Sequence, residues 1–357
     1  MLKPRKAIVG LPPYQSPILG RANLNLDLNE NAAGCSPRVL ERLRKLSPQE
    51  VARYPLREGG ERVVANFLSV EPGQVLLTNG VDDALLVLFA TYLGDSDEMI
   101  LADPTFVMYP FLGRALGAQV VRVRSGADLS FPTGALIGSI SPRTRLIAIA
   151  NPNNPTGGVI PRVDLLRIVE TAPNAAVLVD EAYFDFCGET MIPELARHRN
   201  LFVARTFSKA YGLAGLRLGA LIGVPDQVEY VRRFCPPFNV NAVVLACLEE
   251  SLADQEFVSE SVRQAREGRD RLVKLCQELK LDYWPSQTNF VLVRIGSMCR
   301  PFVEAMRQRG VMVRDMSASP RCEGCVRITM ATPQQMDELL QAMRAAIEDV
   351  RSGASRS

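Results

Sequence analysis

Short apolar runs alternate with longer stretches of helical periodicity over most of this 357-residue chain. The runs Glu98–Ala102 (EMILA), Gln119–Val123 (QVVRV), Arg145–Ala150 (RLIAIA), Ala176–Asp180 (AVLVD), Leu201–Thr206 (LFVART) and Gly219–Gly223 (GALIG) read as buried strands. Helical patterns fall at Val81–Leu93, Pro161–Glu170 and Val243–Leu252. Strands alternating with helices predict an α/β architecture. Several runs are apolar almost throughout, which predicts a sheet covered on both faces.

Beyond residue 241 the pattern changes. A long charged helix is expected over Asp254–Leu279, then strands at Thr288–Arg294, Gly310–Asp315 and Cys325–Met330, and a last helix over Pro333–Val350. The expected division is an N-terminal arm or small-domain segment (1–28), a large domain (29–240), a small C-terminal α+β domain (241–350) and a disordered tail (351–357). The junction lies near Phe234–Asn241 (FCPPFNVN), and no internal repeat is visible.

Composition adds mainly exclusions. The chain is 47% hydrophobic and 22% charged, an ordinary globular balance. Its 41 basic and 39 acidic side chains leave a net charge of +2, which gives no electrostatic case for a nucleic-acid or membrane partner. Ala84–Leu93, the longest apolar candidate, contains a threonine and stops at Gly94, well short of the roughly 20 residues a membrane helix needs. The basic N-terminus lacks the apolar region of about 7–15 residues of a secretory signal, so a cytoplasmic protein is expected. Of eight cysteines, Cys322 and Cys325 form a lone CxxC, and the only histidine is His198. Structural zinc takes four ligands, so no metal is expected, and the two thiols read as neighbours near a loop before a strand.

Chemistry collects at the strand ends, where doubly wound sheets bind ligands. AVLVD delivers Asp180, with Tyr183 three residues on; RLIAIA runs into the restrictive loop Asn151–Gly158 (NPNNPTGG); LFVART runs into Ser208 and Lys209; EMILA leads to Asp103 and PTFVMY. A carboxylate, an amide, an amine and an aromatic ring are thus offered together. Each has a bland explanation. Lys209 alone reads as solvated, Asp180 as a helix cap, NPNNPTG as a turn, Phe106 as core, Arg217 as half of a surface ion pair, and Gly80–Asp83 as a helix start. All of them, however, fit one ligand.

The set resembles the pyridoxal-phosphate (PLP) aminotransferases of fold type I, most closely the histidinol-phosphate aminotransferases. The stretches that carry the likeness are PYQS, LDLNEN, CSP, RYP, TNGVDDAL, ADPTFVMY, NPNNPTG, VDEAYFDF, RTFSKAYGLAGLRLG, PSQTNFVLVR, GVMVRDM and CVRIT, nearly the whole chain. The likeness implies a large PLP-binding domain with a mainly parallel sheet sandwiched by helices, plus a smaller α+β domain. It assigns Lys209 to the covalent bond with PLP and to proton transfer at the substrate Cα. Asp180 is then the partner of the ring nitrogen. Tyr183 and Asn154 meet the ring hydroxyl, and Phe106 stacks on the ring. Arg217, Thr206, Ser208 and the backbone N–H groups of Val81 and Asp82 hold the phosphate, with the Asp82 and Asp83 side chains turned back to cap the helix. Tyr54 reaches the cofactor site of a neighbouring subunit, which implies a homodimer.

The same likeness places Arg327 and Arg314 at the acidic end of the substrate, with Tyr14 and Asn289 beside it. Two guanidinium groups suit histidinol phosphate, and one also serves the glutamate formed from 2-oxoglutarate, as in histidine biosynthesis. Aromatic amino acid transamination and decarboxylation of a phosphorylated amino acid, such as threonine phosphate, are the alternatives. The chain departs from the family pattern at Asn29–Gly34 (NENAAG, where NENPYG is common), at Pro17–Ile18 after PYQS, and at Leu56 after RYP. All three departures lie where substrate is chosen rather than where PLP is held.

Overall fold

The computed structural model describes residues 2–12 and 23–354. In chain order its strands are β1 (Leu24–Leu26), β2 (Val75–Thr78), β3 (Glu98–Asp103), β4 (Gln119–Arg124), β5 (Thr144–Ala150) and β6 (Ala176–Asp180). They continue as β7 (Leu201–Thr206), β8 (Gly219–Ile222), β9 (Asp282–Trp284), β10 (Phe290–Arg294), β11 (Val311–Asp315) and β12 (Cys325–Thr329). Two sheets result, ordered β2-β8-β7-β6-β5-β3-β4 and β1-β11-β12-β10-β9.

In the seven-stranded sheet only β8 runs against its neighbours. β3, β6 and β7 are buried at every position, the double-faced cover expected of a parallel sheet. The run at 119–123 differs from expectation. As β4 it is the sheet's edge, and only Val123 is buried. After β4 the chain crosses back to β5 on the far side of β3, so the strand order reverses between β3 and β5. The loops after β3 and β5 therefore open a crevice, the usual place for a ligand in such sheets.

The five-stranded sheet is antiparallel apart from the β1–β11 pair. The long helix Gln255–Glu278 packs on β9, β10 and the last helix. Asp254 caps it, its Oδ1 accepting from the Phe257 N–H at 3.2 Å. The last helix spans Pro333–Ala354, four residues into the segment expected to be disordered. Cys322 and Cys325 are both buried as free thiols, and burial pushes them up to about 12 and about 11 respectively. Among the described residues no helix is long and apolar enough to cross a membrane. Nor does any group of three or more His, Cys, Asp or Glu side chains stand close enough to hold a metal ion.

Candidate active site

Three adjacent parallel strands bring the expected residues to one end of the large sheet. Asp180 closes β6 in register with Ala150 of β5 and Ala204 of β7. It is 5% exposed; its Oδ2 accepts from the Tyr109 hydroxyl at 2.7 Å and its Oδ1 from the Ala182 N–H at 3.0 Å. Among the described residues no lysine or arginine forms an ion pair with it. Burial pushes this carboxyl up to about 6, although the Tyr109 hydroxyl and the Ala182 N–H pull the other way.

Lys209 follows β7. Its Nζ donates to the Leu28 carbonyl at 3.1 Å. Burial, together with the Arg327 guanidinium, pushes the amine down to about 8, while Glu30 and Asp82 act in the opposite sense. The neutral fraction near neutral pH is therefore far larger than for an ordinary lysine, and the neutral amine is the nucleophile and the base. The turn after it requires glycine. Gly212 has φ of 67°, and a Cβ there would overlap the Gly34 carbonyl, so the 29–34 segment can lie directly against the lysine loop.

The anion end is built on the helix Val81–Tyr92, whose N-terminus no side chain caps among the described residues. Gly219 presses against it: a Cβ at 219 would stand 2.6 Å from the Gly80 carbonyl carbon and 2.7 Å from the Val81 nitrogen. Arg217, in the left-handed region with φ of 58°, lays its guanidinium so close that a Cβ at Gly80 would overlap it. Thr206 and Ser208 are buried beside this end, the Thr206 Oγ1 accepting from the Ser208 N–H at 3.2 Å. The two acidic residues of the first turn behave differently from one another. Asp83 turns back but past the helix end rather than onto the helix's own N–H groups, its Oδ2 accepting from the Asn79 N–H at 2.9 Å and from Asn239 Nδ2 at 2.7 Å. Asp82 does not cap the helix; it pairs with Arg217 at 3.4 Å, because the guanidinium overhangs the same turn.

Between these ends lies a chain of polar contacts. Tyr183 is 5% exposed, stands edge-on to Phe290 with ring centroids 5.2 Å apart, and accepts at its hydroxyl from Asn29 Nδ2 at 2.7 Å. Arg327 Nη1 donates to Asn154 Oδ1 at 2.7 Å and Nη2 to the Asp27 carbonyl at 2.6 Å. Arg314 sits opposite Arg327 in the β11–β12 register and has no acidic partner among the described residues. Like charges directly opposite each other destabilise a sheet, so this pair favours an anion. Asn289 donates through Nδ2 to the Asn29 carbonyl at 3.1 Å, and its buried Oδ1 has no hydrogen-bond partner among the described residues. Phe106 is half-buried, edge-on to Tyr109 at 5.6 Å. Tyr54 stands 79% exposed on the surface, stacked on Phe238 at 4.6 Å. Tyr14 lies outside the described residues.

Tyr109, Asn29 and Thr329 were missed as site residues. Tyr109 ends the ADPTFVMY stretch and Asn29 opens NEN, but neither spacing says what it bonds. The donor set has a clear chemistry: a buried carboxylate lacking a cation, an amine near its pKa, and a cationic, uncapped helix end. It fits an aromatic aldehyde with a basic ring nitrogen and a phosphate, which describes PLP.

Comparison with known proteins agrees. Residues 21–343 match the family model for class I and II aminotransferases. Histidinol-phosphate aminotransferase 1 of Bacillus thuringiensis subsp. konkukian is 33% identical over 91% of this chain and 89% of its own length. The histidinol-phosphate aminotransferase of Moorella thermoacetica is 32% identical, over 96% and 92% of the two chains. The crystal structure of histidinol-phosphate aminotransferase from Sinorhizobium meliloti in complex with pyridoxal-5'-phosphate superposes with a TM-score of 0.88 at 25% identity, covering 97% of each chain. The chain belongs to the class I and II aminotransferases and is a PLP-dependent transaminase of fold type I.

Proposed function

We propose that the protein transfers the amino group of histidinol phosphate to 2-oxoglutarate, giving imidazole acetol phosphate and glutamate in histidine biosynthesis. The observation that carries this reading is the Arg314–Arg327 pair, directly opposite across two strands. A dianionic phosphate suits two forked guanidinium groups better than a neutral aromatic side chain does. The similarity to enzymes of that name supports the same substrate.

PLP, when bound, supplies an electron sink for the charge that develops when a proton leaves the donor Cα. Asp180 holds the ring nitrogen protonated by its own charge, in a pocket that excludes water. Lys209 would anchor the cofactor covalently; once the substrate amine displaces it, its freed Nζ would take the Cα proton and return it on the cofactor side of the substrate nitrogen. Arg217, Thr206, Ser208 and the N–H groups of Val81 and Asp82 hold the phosphate. Tyr183 and Asn154 would meet the ring oxygen, Phe106 would pack against the ring, and Asn289 would line the substrate end. Arg327 reaches the substrate while bonded to Asn154, so substrate and ring oxygen share one contact line. Tyr54, exposed and stacked on Phe238, would serve the neighbouring site of a homodimer in the cytoplasm.

Half-reactions decide the substrate. Rapid loss of the bound cofactor's visible absorbance with histidinol phosphate, and with glutamate, is expected. Comparable kcat/KM for phenylalanine, or carbon dioxide released from threonine phosphate without amino transfer, overturns the substrate assignment. In Lys209→Ala, borohydride reduction should leave no cofactor-sized mass on the chain; a retained adduct refutes the anchor.

A further inference from the structure

The hydroxyl of Tyr183 has one hydrogen-bond partner among the described residues, Asn29 Nδ2 at 2.7 Å. Which way its proton points depends on how the Asn29 amide is turned, and Thr329 settles that. The Asn29 backbone N–H donates to Thr329 Oγ1 at 3.1 Å, and Thr329 Oγ1 donates to Asn29 Oδ1 at 3.0 Å. Turning the amide over would place its NH₂ against that hydroxyl. The Thr329 proton would then have no acceptor, since Asn29 is its only partner among the described residues and the threonine is 0% exposed. An unsatisfied buried donor costs about 1–3 kcal/mol, enough to fix the orientation.

A hydroxyl has a single proton. Thr329 uses its proton on Asn29 Oδ1, so Asn29 presents NH₂ to Tyr183, and Tyr183 accepts there. Its own proton is left to point elsewhere. Asn29 is itself held rigidly: it is 1% exposed, adopts φ of 57°, and its carbonyl accepts from Asn289 Nδ2 at 3.1 Å. Left-handed backbone is tolerated by asparagine better than by most residues.

We propose that Asn29, locked by Thr329, is a positioning residue that makes the Tyr183 hydroxyl a one-way hydrogen-bond donor toward the cofactor's ring oxygen. This rests on the reading that Tyr183 meets that oxygen. Thr329 lies two residues beyond Arg327 on β12, on the same face of the strand. The strand that carries the substrate arginine thus also sets the polarity of a cofactor contact.

The test is the pH midpoint of the holoenzyme's visible absorption. A hydrogen bond donated to the ring oxygen favours its ionised form, so losing the donor raises the midpoint, by about one pH unit. Tyr183→Phe should show this rise. Thr329→Val, which removes the locking proton and touches neither Tyr183 nor the cofactor, should reproduce at least half of it, and Thr329→Ser should restore the wild-type value. The double variant Thr329→Val/Tyr183→Phe should shift no further than Tyr183→Phe alone. Should Thr329→Val not fold, Asn29→Asp serves: a carboxylate accepts from both neighbours, draws the Tyr183 proton to itself, and should raise the midpoint likewise. An unmoved midpoint in Thr329→Val or Asn29→Asp, or additive shifts, overturns the proposal while Tyr183 keeps its place. An unmoved midpoint in Tyr183→Phe overturns the placement of Tyr183 itself.

Discussion

Asp180→Asn should stabilise the cofactor-free protein at neutral pH while weakening PLP binding. Burial lifts the Asp180 carboxyl from 3.8 to about 6, which at 1.36 kcal/mol per unit makes its charge cost about 3 kcal/mol. Because the folded value lies above the unfolded one, the folded chain binds more protons between about pH 4 and 6. Stability falls as pH rises through that window, and the full cost stands above it. Asparagine removes the charge but has only one oxygen, so it keeps the Tyr109 hydrogen bond and loses the one from the Ala182 N–H, worth about 1 kcal/mol. The net gain at pH 7.5 should be about 1–2 kcal/mol. Urea unfolding of the apo protein, followed by the fluorescence of Trp284, the only tryptophan, measures it. At pH 4.5 the wild-type carboxyl is mostly protonated, and the advantage should vanish or reverse. An apo variant less stable than wild type at pH 7.5, or equally advantaged at both pH values, refutes the reasoning.

Other substitutions probe the remaining parts. Tyr109→Phe removes a donor that lowers the Asp180 pKa, so the acidic limb of kcat/KM should move up by about one pH unit; a pH profile with an unmoved limb rules this out. Gly219→Ala puts a Cβ 2.6–2.7 Å from the backbone of Gly80 and Val81, so the Kd for PLP, read by fluorescence titration, should rise by about tenfold or more through loss of about 1.4 kcal/mol of phosphate binding. Gly215→Ala, where nothing lies within 4 Å of the new Cβ, should leave that Kd alone; equal effects would contradict the packing argument. Arg314→Gln should raise KM for histidinol phosphate about 10- to 100-fold, the loss of a charged hydrogen bond, and change the glutamate half-reaction far less. A uniform loss on both substrates would remove Arg314 from the phosphate.

The large sheet was legible because of how it is buried. β3, β5, β6 and β7 are covered on both faces, so each shows as a nearly unbroken apolar run, and their ends fell within a residue of the expected limits. Where burial is one-sided or brief, the signal fades. β4 carries three valines, yet arginines at 122 and 124 mark the exposed edge it forms. β1 and β9 span three residues each, too few to establish a period of two. β2, the four residues VLLT, stands just before a helix and joins the sheet only through β8.

In the site, residue types were legible and relations were not. Asp180 and Lys209 stand at strand ends that sequence places, but the partner of each comes from elsewhere in the chain: Tyr109 for the carboxylate, Leu28 for the amine. Glycine shows the same limit. Its presence at 212 and 219 announces a close approach, but only the fold reveals that Gly34 and the Gly80–Val81 peptide are what approach. The arginine pair takes this furthest. Arg314 and Arg327 each read as an anion ligand, yet it is strand register that sets them face to face. Facing like charges repel, and an anion between them would relieve that repulsion as well as gaining two forks of hydrogen bonds. A dianion would draw more from that arrangement than a monoanion, so on the proposed function it is register, which no motif records, that would favour a phosphorylated donor.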